Sequence, residues 1–108
     1  MNENFNQIIK QEKPVNGLEP YMKEFANDRL SDLKEISSLI NDNDLENIAK
    51  IAHKWKGFCE PYGFNHLAYL AKNLEKACKS NEKASVKQFF SDISNYLSVK
   101  IMDVNNKY

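Results

Sequence analysis

Four apolar stripes at helical spacing, separated by three short polar breaks, constrain the fold of this chain more than any other feature of its sequence. Leu18, Met22, Phe25, Leu33, Ile36 and Ile40 keep to one face of a helix expected over residues 18–40, with Pro20 tolerated in its first turn. Leu45, Ile48, Ala49, Ala52, Trp55 and Cys59 define a second stripe. Leu67, Leu70, Ala71, Leu74 and Cys78 define a third, and Val86, Phe89, Phe90, Ile93, Leu97, Ile101 and Val104 a fourth. The first break, Asn41-Asp42-Asn43-Asp44, has no core residue, and Asn43 and Glu46 stand at the spacing of a capping box. The second falls at Pro61-Tyr62-Gly63, because proline disfavours helical geometry in the residue before it, here Glu60. The third is the polar run 79–83. Four amphipathic helices with short connections imply an all-α fold, an antiparallel four-helix bundle.

The bundle is expected over residues 17–108. Residues 1–16 are polar and interrupted by Pro14, so they read as a flexible or loosely docked N-terminal extension with Phe5, Ile8 and Ile9 available for docking. A chain of 108 residues buries one modest core, and three Gly and three Pro suit helices better than a many-turned sheet. Fifteen basic and fifteen acidic residues cancel, which removes the field that would draw the chain onto nucleic acid or an anionic membrane. Its partners are therefore expected to be proteins. The first fifteen residues hold no apolar run longer than Ile8-Ile9, so neither signal peptide nor membrane span is expected and a cytoplasmic location follows. Cys59 and Cys78 form no CxxC, which suits reduced thiols.

Chemistry points to the second helix. On a wheel of about 100° per residue its apolar centre falls near Ala52 and Cys59, and His53 lies roughly 120° away on the exposed flank. Lys56 and Gly57 follow at i+3 and i+4 and are its surface neighbours. Glycine inside a helix costs about 1 kcal/mol relative to alanine, so this one suggests a need for space. Neutral imidazole is a competent nucleophile, and a lysine beside it supplies positive charge where a phosphoryl group would sit. Taken alone, these residues read far more readily as an ordinary exposed histidine beside a solvated lysine than as a phosphorylation site.

The wider pattern distinguishes the two. His53, Lys56-Gly57, Gly63, Leu67, Leu70 and Leu74-Glu75 resemble the signature of histidine-containing phosphotransfer (HPt) domains, and His-x-x-Lys-Gly-x-x-x-x-x-Gly is the specific part. Pro20-Tyr21-Met22, Arg29, Asp32 and Leu33 are similar to the first helix of one HPt subgroup, and Tyr62-Gly63-Phe64 to its turn. The resemblance covers about residues 18–100. It implies a phosphorelay intermediate: His53 takes a phosphoryl group from the aspartyl phosphate of one response-regulator receiver domain and gives it to another, the receiver of a hybrid histidine kinase being one candidate. It also implies phosphorylation at Nε2, stabilisation of the phosphoryl oxygens by Lys56, an approach kept clear by Gly57, and a turn role for Gly63. Glu75, expected on the exposed flank of the third helix, would orient the ring through Nδ1 or serve only as a solvated carboxylate.

Two departures from the family pattern stand out. Phe58 follows the Lys-Gly pair where small residues are usual, and Cys59-Glu60-Pro61 follows it. On an uninterrupted helix Glu60 would lie about 20° from His53 and face the same partner. These residues keep a second reading in play, a non-transferring helical adaptor that binds receiver or kinase proteins. Self-phosphorylation from ATP is not expected, since no Gly-rich phosphate loop or Walker pattern is present; the chain reads as a stoichiometric phosphocarrier rather than an enzyme. No cofactor is expected, any Mg2+ belonging to the receiver. His53, Cys59, His66 and Cys78 have no zinc spacing, and His66 reads as structural or solvent-facing.

Overall fold

A computed structural model of the chain describes residues 5–108. Among them are five α-helices and no strand: α1 (Phe5–Lys10), α2 (Met22–Asn41), α3 (Leu45–Phe58), α4 (Asn65–Lys79) and α5 (Lys83–Lys107). Two 3-10 turns, Glu19–Tyr21 and Glu60–Tyr62, each carry a proline and determine where the adjoining helices begin and end. The helix expected from Leu18 opens with the first of these turns, in which Tyr21 N donates to Leu18 O at 2.9 Å, and becomes α-helical only at Met22. Proline has no N–H to lose in such a turn. The second turn ends α3 at Phe58, so Glu60 is not on that helix and does not continue the face of His53.

The break between α2 and α3 is built differently from the capping box expected at Asn43 and Glu46. Asn43 takes a left-handed conformation, φ 57°, which lets Asp44 N reach back to Leu39 O at 2.9 Å and close α2. The cap thereby moves on by one residue. Asp44 Oδ1 accepts from Asn47 N at 3.2 Å and its Oδ2 from Asn47 Nδ2 at 2.7 Å. The same closure recurs at the end of α4, where Asn81 has φ 58° and Glu82 N donates to Ala77 O at 2.9 Å.

Helices α2 to α5 pack in a closed ring in which α3 lies between α2 and α4, and α5 closes the other side. Each contributes its stripe to one core whose fully buried side chains include Trp55, Tyr96, Phe64, Met22, Ile36 and Leu74. Phe89 and Phe90, expected in that core, are only partly buried and pack against it, while Val86 and Ile93 on either side of them in α5 are fully buried. Trp55 is held as well as packed: its Nε1 donates to Asp32 Oδ2 at 2.8 Å, and Arg29 Nε donates to the same oxygen at 3.0 Å. This shared acceptor ties α2 to α3. No helix among the described residues is long and apolar enough to cross a membrane.

Residues 5–16 of the expected extension lie against the bundle, and residues 1–4 lie outside the described residues. Phe5 and Ile9 of α1 are buried, with the Phe5 ring edge-on to Tyr96 of α5 at 5.8 Å. Beyond α1, buried Glu12 accepts from Tyr96 Oη and Lys100 Nζ, each at 2.7 Å, through Oε1 and from His66 N at 2.8 Å through Oε2. Lys100 also donates to Gly63 O at 2.8 Å. Burying two charges is tolerable because each meets the other and a second partner. Gly63 is required at this junction: its φ is +79°, and a Cβ there would stand 2.7 Å from the Lys13 carbonyl carbon.

Candidate functional site

The α3–α4 interface is formed by the apolar stripes of both helices, and His53 stands at its exposed rim with 67% of its side chain accessible. Directly across, α4 presents Glu75, one turn past Ala71 and next to Leu74 in sequence. The His53 Nδ1 atom lies 3.0 Å from Glu75 Oε2. With an ionised carboxylate as its neighbour, Nδ1 carries the proton and donates, which leaves the Nε2 lone pair directed away from the contact. Lys56, one turn after His53, donates to the other carboxylate oxygen, Oε1, at 2.8 Å.

Glu75 is not on the exposed flank of the third helix, where it is expected from the sequence. Its side chain is only 7% accessible, covered by His53, Lys56 and a third group, Lys79, whose Nζ lies 3.1 Å from Oε2. A wheel drawn for one helix cannot register side chains that reach over from another. Lys79 was missed at the sequence level, although its i+4 spacing from Glu75 is the signal for such a pair. The hydrogen bond from Lys56, with those from Lys79 and His53, outweighs the burial that would raise the Glu75 pKa, and holds it down at about 2. Glu75 is therefore ionised throughout the neutral range.

The flanks of His53 differ. Toward the N-terminal end of α3, an open groove of about 720 Å³ runs between α3 and α4, floored by Leu45, Ala49 and Cys78 and edged by Lys50, Lys54 and Lys79. Toward the other end is Gly57, where an added Cβ would meet nothing within 4 Å. Phe58 points to the α2 side, edge-on to Phe25 at 5.9 Å and 4.7 Å from the Arg29 guanidinium carbon. His66 sits between the Phe5 and Tyr69 rings, on the side of the molecule where α1 docks. Both cysteines are free and buried, and burial pushes the Cys59 thiol up to about 12 and that of Cys78 to about 11. Among the described residues no three His, Cys, Asp or Glu side chains are grouped to hold a metal ion.

The site thus joins an exposed imidazole, oriented by a carboxylate, to two lysines on adjacent helices. Comparison with protein families gives a match to the Hpt domain over residues 20–99, which covers α2 to α4, both 3-10 turns save Glu19, and most of α5. The chain belongs to the Hpt domain family. No curated protein and no solved structure matches the chain. Hpt domains are helical phosphocarriers that serve phosphorelays by interacting with response-regulator receiver domains, and this Hpt domain has the all-helical architecture that such a role uses.

Proposed function

We propose that this Hpt domain carries a phosphoryl group on His53 Nε2 between two receiver domains. The observation that supports this most is the 3.0 Å contact between His53 Nδ1 and Glu75 Oε2 on a ring that is otherwise open to solvent. In the forward step the Nε2 lone pair attacks the phosphorus of the receiver's aspartyl phosphate, the P–O bond to aspartate breaks, and the aspartate leaves as a carboxylate. The Nδ1 proton stays in place. The ring becomes a phosphorylated imidazolium, and Glu75 faces its new positive charge. In the second step a carboxylate of the next receiver attacks the phosphorus and the P–N bond breaks, returning its electron pair to Nε2. Lys56, with 39% of its side chain accessible, stands where it can turn toward the phosphoryl oxygens.

Gly57 supports the same reading. Among the described residues nothing lies within 4 Å of the Cβ position beside it, so the helix bears the cost of glycine without a packing reason there, and the space is left for the receiver. The receivers, one of them the receiver of a hybrid histidine kinase, bring whatever Mg2+ their own chemistry needs, and the exchange takes place in the cytoplasm. The chain needs no cofactor of its own. Incubation with a phosphorylated receiver tests the proposal: the label acquired is acid-labile and base-stable, is lost in His53→Gln and is kept in His66→Gln. Labelling that survives His53→Gln overturns it.

A further inference from the structure

Glu75 is matched by more positive charge than it needs. Its single carboxylate is bound by Lys56 at 2.8 Å from α3 and by Lys79 at 3.1 Å from its own helix, while His53 uses the same oxygen as Lys79. With a neutral imidazole the cluster of Glu75, Lys56 and Lys79 carries one net positive charge. A dianionic phosphoryl group on an imidazolium adds one net negative charge and brings the cluster to neutrality. Removing either lysine would leave the phosphorylated cluster with an uncompensated negative charge around a carboxylate that is only 7% accessible.

The two lysines are not equivalent. Lys56 is on the helix of His53, one turn along, and its Nζ is on Glu75 Oε1, the carboxylate oxygen that His53 does not use. Lys79 lines the groove on the opposite side and is held to Oε2 by an i,i+4 contact within α4. Resting on the phosphocarrier reading above, we infer that Lys79 is a positioning residue for transfer: it stays on Glu75 and keeps that carboxylate aligned with His53 Nδ1 when Lys56 leaves Oε1 for the incoming phosphoryl group. Without Lys79, Glu75 has only Lys56 as a cationic partner and competes with the phosphoryl oxygens for it. The effect reaches the reacting atoms only through Glu75. Lys79 is 69% accessible, so the pair adds little to the stability of the fold, and its value lies in the charge it leaves free elsewhere.

The test is the rate of labelling of the full chain by a phosphorylated receiver, with the site of the label checked by His53→Gln. Lys79→Ala slows labelling by about two- to fivefold, the scale of one partly exposed charge pair. Lys79→Arg restores most of the rate. Lys76→Ala, which removes the same charge from α4 but faces the cleft toward Phe89 of α5, labels like the wild type. In a Glu75→Gln background the further change Lys79→Ala has no added effect, because the carboxylate that Lys79 restrains is gone. The 15N resonance of His53 Nδ1 in the unphosphorylated protein moves in Lys79→Ala and not in Lys76→Ala, since only Lys79 shares Oε2 with it. Wild-type labelling in Lys79→Ala, or an equal loss in the Glu75→Gln background, overturns the inference while leaving His53 as the carrier. A label that survives His53→Gln overturns the carrier reading itself.

Discussion

His53 Nδ1 and Glu75 Oε2 meet at 3.0 Å across the α3–α4 interface, although the two residues are 22 positions apart in the chain. The contact engages Nδ1 and leaves Nε2 as the ring nitrogen outside it. Replacing Glu75 with Ala removes a charge-assisted hydrogen bond worth about 1.5–3 kcal/mol, and we expect phosphoryl uptake to slow by about ten- to a hundredfold. Rapid-quench measurement of transfer from a phosphorylated receiver checks this, and a wild-type rate would remove Glu75 from the mechanism.

The charge state of Glu75 also links the site to acid stability. Its pKa in the folded chain, about 2, is below the ordinary 4.5, so the stabilisation it contributes is complete above about pH 4.5 and is lost as the pH falls toward 2. Denaturation of wild type and Glu75→Gln should differ most at neutral pH and converge across that interval. A difference that stays constant from pH 6 to about 2 would mean that the carboxylate is not held by its lysines.

Lys56→Ala is expected to slow transfer while changing the stability of the fold by less than about 1 kcal/mol, because the lysine is partly exposed and its ion pair screened. Thermal melts and transfer rates on the same preparation separate the two effects. Equal rates for the variant and wild type would leave Lys56 without a part in the reaction.

Gly57 separates stability from docking. Since a Cβ there meets nothing, Gly57→Ala should stabilise the helix by about 0.5–1 kcal/mol, whereas Gly57→Gln should fold normally and accept phosphate poorly from every receiver. If the glutamine variant transfers like wild type, the space beside His53 is not used by the partner.

The buried Glu12–Lys100 pair, which shares no partner with His53, makes a prediction about the fold alone. Glu12→Ala leaves Lys100 buried without its counter-charge and should cost about 3–5 kcal/mol, whereas replacing both residues with Met should be much milder. Urea unfolding of the single and double variants measures this. A loss of under about 1 kcal/mol in Glu12→Ala would show that solvent reaches Lys100 once the carboxylate is gone.

Much of this was legible in the chain itself, because helical periodicity is a local property. The stripes from Leu18 to Val104, the breaks at Asn41 to Asp44 and at Pro61, and the pattern His53, Lys56, Gly57, Glu75 all follow from spacings of a few residues or from a motif of modest length. Only the tertiary structure decided which side chains meet. A reading of each helix by itself left Glu75 in solvent, since its cover comes from His53 and Lys56 on another helix, together with Lys79 on its own. It placed Glu60 near His53, since it could not show that the helix ends at Phe58 before a 3-10 turn. It gave no account of Glu12, a charged residue in a polar segment, because the burial of Glu12 depends on Tyr96 and Lys100 more than eighty positions away. Periodicity reports which face of a helix is apolar; the pairing of charges between helices is set by how those faces dock, and no local pattern contains it.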